Sequence, residues 1–289
     1  MTEQRLPRRR YLGIAGALGT VGLAGCVTAS SPLSQGVDEA TRERYVGVAT
    51  RVATDLEEWR RRRSGTTRRL AQSDAARNGT AAEQYDWLEF EGERLPTDVY
   101  RVNIVDPNDW TVVASSDPAK QGEPLNTREA PWQTDRLEYG SDDVFVSRAD
   151  EALARSLVSF VAPVDTDDDR QRRLVMQTSL DERAATFQRP SRGVYSQIVD
   201  ADGRIVAGTR PIQRLERNDG TLRTYPGGTD ATAVQQALGG ASGFVAEPAI
   251  NESDQGGGDA DSYVVAYAGV ENRAWAVLTH VPQQTMQNG

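Results

Sequence analysis

Two stretches of this chain are near copies of each other. One, YRVNIVDPNDWTVVASS, starts at Tyr100, and the other, YSQIVDADGRIVAGT, starts at Tyr195. Both run from a tyrosine through Ile-Val-Asp into a polar turn, then into an apolar strand ending in Val-Ala and small residues. The turns, Asp106-Pro107-Asn108 and Asp200-Ala201-Asp202-Gly203, carry residues that tolerate tight backbone geometry, so each copy predicts a β-hairpin. A second pair follows in the same order. SLVSFVAPVDTDDDRQRRLVMQTSLDE starts at Ser156 and SYVVAYAGVENRAWAVLTHVPQQ at Ser262, each reading as strand, polar turn and longer strand. The copies stand 95 and 106 residues apart, too far for a solenoid. The chain is therefore expected to fold as two copies of one small module with an antiparallel sheet.

Ahead of the repeats, DEATRERYVGVATRVATDLEEWRRRRSGTTRRLAQSDAARNG places Tyr45, Val48, Val52, Leu56 and Trp59 three or four apart, on one helical face. A long helix is expected, capped by Asp38, flexed near Ser64-Gly65 and ending about Gly79. The arginines at 60–63 interrupt its apolar stripe. TAAEQYDWLEF predicts a shorter helix before the first hairpin. TDATAVQQALGG predicts a capped helix ended by glycine in the second module.

The first residues have a different character. In RRRYLGIAGALGTVGLAGC, Arg8 to Arg10 form a charged cluster, Tyr11 to Leu23 an apolar run, and Leu23-Ala24-Gly25-Cys26 its end. This is the layout of a secretory signal, and the adjacent arginines point to the twin-arginine route. The apolar run is short of the roughly 20 residues that span a bilayer. LAGC resembles a lipobox, in which the thiol of Cys26 is lipidated and becomes the mature N-terminus; an uncleaved anchor or simple secretion is the alternative. Residues 27–36, VTASSPLSQG, read as a flexible tether.

Composition narrows the function. A formal charge of -9 disfavours nucleic acid as a partner. Lys120 is the only lysine, and acidic, lysine-poor surfaces are typical of proteins from very salty cells. One cysteine allows no internal disulfide. His280 is the only histidine, in the apolar strand WAVLTHVP, so a structural role or surface exposure is expected of it. No Ser/His/Asp or Cys/His set and no zinc set can be assembled. DTDDDR at 165–170 lacks the spacing and glycine of a calcium loop and reads as a solvated hairpin tip. DQGGGDAD at 254–261 reads as a flexible loop. An enzyme, a metal site and a cofactor are all unexpected.

A long N-terminal helix followed by two such modules resembles the double Cache family of PAS-like extracytoplasmic sensor domains. YRVNIVDPNDWTVVASSDPAKQGEPL and the closing YVVAYAGVENRAWAVLTHVP carry the resemblance, which covers about residues 37–284. It implies an α/β (α+β) fold with two PAS-like modules, a membrane-distal one that binds a small molecule and a proximal one that is often empty. The organisation expected is a signal peptide over 1–25, a tether over 26–36, a helical segment over 37–84, a distal module over 85–190, a proximal module over 191–284 and a tail over 285–289. In NTREAPWQTDRLEYG, where such modules place the wall of their pocket, Arg128 could pair with a carboxylate, Trp132 and Tyr139 offer aromatic surface, and Asp135 could accept an ammonium. The resemblance to the amino-acid-binding version of the family is loose, because the spacing is Arg128-x3-Trp132 and Gln133 stands where a tyrosine is expected. The alternative is that Arg128 and Asp135 are surface charges and Trp132 is core. Tyr225 and Tyr263 mark the fallback pocket in the proximal module.

The expectation is thus a lipid-anchored dCache protein on the outer face of the cell membrane. With the chain ending at Gly289, it is expected to present an amino acid or organic acid to a transmembrane transducer or transporter. A structural or interaction module is the competing reading. Cys26→Ser should release the protein from the membrane or leave its precursor unprocessed in fractionation experiments; equal membrane retention would contradict the anchor.

Overall fold

The computed structural model describes residues 37–125, 130, 132, 144–152, 155–166, 171–187, 193–209, 222–246, 263–271 and 274–282, all within a compact unit over 31–289. The acidic stretches at 167–170 and 254–261 and the N-terminal segment with Cys26 lie outside them. Among the described residues no helix is long and apolar enough to cross a membrane.

Helix α1 (Glu39–Ala71) begins where expected, with the Asp38 carboxylate accepting the Thr41 N–H at 2.9 Å. It runs unbroken through Ser64 and Gly65 and stops at Ala71, short of the expected Gly79. Ser73 explains the stop: its hydroxyl donates to the Leu70 carbonyl at 2.8 Å and accepts the Ala76 N–H at 3.2 Å. The same residue thereby closes α1 and opens the short α2 (Asp74–Asn78). Helix α3 (Ala81–Gly92) starts on a capping box between Thr80 and Glu83.

The two repeats form two antiparallel sheets of the same topology. In the first sheet, β1 (Val99–Val105), β2 (Val112–Ser115), β3 (Phe145–Val146), β5 (Arg155–Val164) and β6 (Arg172–Ser179) lie in the order β2-β1-β6-β5-β3, and β4 (Asp150–Ala152) also pairs with β5. Helix α4 (Leu180–Ala185) leads to the second sheet. There β7 (Tyr195–Asp200), β8 (Ile205–Gly208), β9 (Ser242–Ala246), β10 (Tyr263–Gly269) and β11 (Trp275–Pro282) lie in the order β8-β7-β11-β10-β9. The correspondence reaches single residues. The β1–β2 register slips between Ile104 and Val105, and the β7–β8 register slips between Ile198 and Val199, the same two positions of the Ile-Val-Asp repeat. Each slip is a β-bulge that bends the hairpin at the same place.

One face of each sheet packs on α1. Val102, Ile104, Phe160 and Met176 from the first sheet share one core with Ile198, Val264, Ala266 and Val277 from the second, and with Tyr45, Val52, Leu56 and Trp59 of the helix. Trp59 touches both sheets, edge-on to Phe160 at 5.7 Å and tilted against Trp275 at 6.2 Å between ring centroids. The stripe does not stop at the arginine run. Arg63, one turn beyond Trp59, is buried, and its guanidinium donates to both carboxylate oxygens of Asp98, from Nε at 3.0 Å and from Nη2. The Trp59 indole donates to the same carboxylate at 2.6 Å. Helix α5 (Thr232–Leu238) covers the opposite face of the second sheet. Gly239 closes it as expected, but its N-cap is Ala231, which has no side chain to cap with.

Burial works against the charge on Asp98, yet the hydrogen bonds from Arg63 and Trp59 and the adjacent guanidinium charge outweigh it. Its carboxyl is therefore held below the ordinary carboxylate value. Asp98→Asn should cost about 3 kcal/mol, because it strands a buried guanidinium. The depressed carboxyl fixes the sign of the pH dependence. Its contribution is complete above the unfolded-state value of about 4 and is lost as pH falls through the lower folded-state value. Urea melts of wild type and variant should converge on acidification; a gap unchanged down to about pH 2 would contradict this assignment.

Candidate functional site

The two sheets differ on the face turned away from α1. In the first sheet that face carries buried polar residues. Arg101 and Asn103 alternate with Val102 and Ile104 along β1, so the strand's two-residue period puts them together on this side. The Arg101 side chain is 1% exposed. It donates from Nε at 3.2 Å and Nη2 at 2.8 Å to Gln177 Oε1 on β6, directly across the ladder. Asp117 Oδ2 lies 3.9 Å from Nη1. Two residues on, Asn103 Oδ1 accepts the Ser115 hydroxyl at 2.7 Å, and Ser115 Oγ accepts the Asp117 N–H at 2.9 Å. Further across, Ser147 Oγ accepts the Ser159 N–H at 2.9 Å. Burying so many polar groups on one sheet face costs free energy even when they are hydrogen-bonded. Apolar residues of matching size would pack there at no such cost.

Aromatic residues border this polar floor. Trp132 packs edge-on to Trp110 at 5.4 Å and against Phe145 at 5.9 Å. It belongs to a small apolar cluster with Val105, Val161 and Val175. Around the edge of β1, a cleft of about 320 Å³ is lined by Glu89, Glu93, Tyr100, Arg101 and Ser116 among others, within the size range of small-molecule sites.

The second sheet fills most of the equivalent face with rings and apolar groups, with Gln197 as a buried polar exception. The register of β1 on β6 pairs Arg101 with Gln177 and Asn103 with Val175. The register of β7 on β11 pairs Tyr195 with His280 and Gln197 with Leu278. The Arg–Gln pair of the first sheet is thus a Tyr–His pair in the second. Its rings stack at 4.6 Å with 10° between planes, and Tyr225 closes on the imidazole at 5.9 Å. Val234 and Ala237 of α5 then pack with Val199, Tyr267 and Leu278. His280 is fully buried in this stack, which settles the choice between a structural place and an exposed one. Asp200, which closes β7, has its carboxyl pushed up by burial, against the backbone hydrogen bonds that it accepts from Arg204 and Asp202.

Of the residues singled out from the sequence, Trp132 is placed on the polar side of the first sheet, 3% exposed. Arg128, Asp135 and Tyr139 lie outside the described residues. Tyr225 is buried against α5 in the second module, and Tyr263 starts β10. Arg101, Asn103 and Gln177 were not anticipated as site residues. The available signal was the contrast between YRVNIVD and YSQIVD, which exchanges an arginine for a tyrosine on the same strand face. Among the described residues no group of three or more His, Cys, Asp or Glu is placed to hold a metal ion.

This architecture is that of PAS- and Cache-like sensor domains. The sensor domain of the V. cholerae histidine kinase DctB covers 83% of this chain and 96% of its own, with a TM-score of 0.57 at 12% identity. The ligand-binding domain of the Pseudomonas fluorescens chemoreceptor CtaA, solved with L-serine, covers 82% and 94%, with a TM-score of 0.54 at 16% identity. No family model matches the chain. By sequence it is 31% identical over 250 residues to the transducer protein BasT of Halobacterium salinarum, a match over 86% of this chain and 29% of BasT. It is 25% identical over 231 residues to the transducer protein Htr18 of the same organism, over 80% of this chain and 26% of Htr18. The chain spans less than a third of the length of these relatives.

The packing of Trp132 makes a stability prediction. Trp132→Ala should cost about 3–5 kcal/mol without any ligand present, as truncating a buried aromatic does, measured by urea unfolding at constant salt. A loss under about 1 kcal/mol would mean that the indole is not part of the core.

Proposed function

We propose that this chain is an extracytoplasmic sensing domain that binds a small molecule on the polar face of its first sheet. The observation that carries the reading is the asymmetry between two otherwise equivalent sheets. One buries Arg101 against Gln177 where the other stacks Tyr195 on His280 and lays α5 over the sheet. A sheet needs no buried arginine to be stable, and its sister copy does without one. A few polar groups kept at such a cost among aromatic and apolar ones are the usual mark of a binding site.

The segment with Arg128, Trp132, Asp135 and Tyr139 belongs to the same site on this reading, and an amino acid or organic acid is the ligand class it suits. That CtaA was solved with L-serine and with L-isoleucine supports the choice. The domain limits follow the sequence reading, with the ligand-binding module over 85–190 and the second module over 191–284. The first module is membrane-distal and the second membrane-proximal. A lipid on Cys26, added after export by the twin-arginine route, holds the protein at the outer face of the membrane. The similarity to part of two transducers supports a role in signalling, with a membrane transducer or transporter receiving the liganded domain. The role is binding, without catalysis.

A thermal-shift screen at high salt with amino acids, organic acids and amines tests this. A ligand at about a hundred times its dissociation constant adds about 2.7 kcal/mol to stability, so a true ligand gives a clear rise in Tm. Arg101→Ala should abolish that rise while Arg62→Ala, an exposed arginine of α1 paired with Glu58, keeps it. A screen with no shift, or an equal shift in Arg101→Ala, would contradict the proposed site.

A further inference from the structure

We propose that the Asn103 side-chain amide reads the ligand, donating from Nδ2 to an oxygen acceptor, a carboxylate or carbonyl of a small molecule held on the same face as Arg101. The inference rests on the reading above and names the chemistry of that site.

Asn103 has no exposed surface. Its carbonyl oxygen is satisfied by the Ser115 hydroxyl, but among the described residues its Nδ2 has no hydrogen-bond partner. The orientation of the amide follows from Ser115. That hydroxyl already accepts the Asp117 N–H, so its own proton needs an acceptor, which Asn103 Oδ1 supplies. Reversing the amide would only exchange an unpaired donor for an unpaired acceptor. A buried amide left short of a partner is costly, and native proteins seldom tolerate one without a reason.

A second buried donor sits nearby. The Trp132 indole N–H also has no acceptor among the described residues. Trp132 shares its apolar cluster with Val175, the residue directly across from Asn103. With the Arg101 guanidinium, paired to Gln177, two residues along the strand, this face places an amide donor and an indole donor beside a cation. A molecule that complements it must bring acceptors. At the position equivalent to Asn103, Gln197 has the opposite imbalance, with its carbonyl Oε1 lacking a donor among the described residues.

Asn103→Asp tests the inference, since it exchanges the Nδ2 donor for an acceptor at constant shape and leaves Oδ1 for Ser115. The probes are L-serine, L-isoleucine and succinate, with serinol, isoleucinol and 1,4-butanediol as counterparts without a carboxylate. Titration calorimetry on the full folded protein at high salt should show at least one carboxylate binding and its counterpart not. Asn103→Asp should weaken that binding at least thirty-fold. Binding within threefold of wild type would overturn the inference and leave the site itself standing. Binding of an alcohol as tight as that of its carboxylate would also overturn it. No binding of any probe to wild type would overturn both. Should Asn103→Asp not fold, the wild type decides: with ¹⁵N-labelled asparagine, the Asn103 side-chain amide signal should move downfield on saturation with the bound probe. A signal that stays in place would overturn the inference.

Discussion

Everything in this molecule hangs on the Trp59 side chain and the carboxylate that holds it. The indole touches Phe160 of one sheet and Trp275 of the other, and its N–H is fixed by Asp98, the residue that leads into β1. Arg63, on the next turn of α1, grips the same carboxylate. The helix offers one apolar stripe to the inner faces of both sheets. A buried ion pair is an expensive way to fasten a helix, but it is directional. It fixes the rotation of α1 relative to the start of the first sheet, which an apolar contact alone would leave free to slip.

With the inner faces committed to α1, the outer faces are where the two modules diverge. Five strands of each follow the same order, and the bulges in their first hairpins coincide. The divergence lies in the extra strand β4 of the first sheet, in α5 over the second, and in the side chains of the outer faces. The second sheet uses its outer face for core, with α5, Tyr195, Tyr225 and His280 filling it. The first sheet retains hydrogen-bonded polar groups there. On the proposed reading, the second module's outer face supplies stability, and the first accepts a cost in stability for binding. The duplication allows this division of labour, because the shared helix couples the two.

Much of this was legible in the sequence, for identifiable reasons. The repeated hairpins announced themselves through identical Ile-Val-Asp strands followed by turn residues, and the α1 stripe through its helical period. The end of α1 was misjudged because Ser73 acts at once as terminator and cap, which no periodicity reveals. The arginine run looked like an interruption, since the partner that buries Arg63 lies 35 residues away, at Asp98. Arg101 and Asn103 escaped notice for a related reason. Alternating polar residues on a strand read as a solvent face, and only the pairing register, which sets Arg101 on Gln177 and Tyr195 on His280, shows that both faces are buried. The stacked Tyr–His pair was equally hidden, because its members stand 85 residues apart.

The central claim is that the first sheet binds and the second does not. A crystal structure of the protein grown with the probe that gives the largest thermal shift tests it most directly. The account predicts density for that probe against Arg101 and Asn103, with the Tyr195–His280 stack unchanged. Density lodged between Tyr195, Tyr225 and α5, with none on the first sheet, would contradict it.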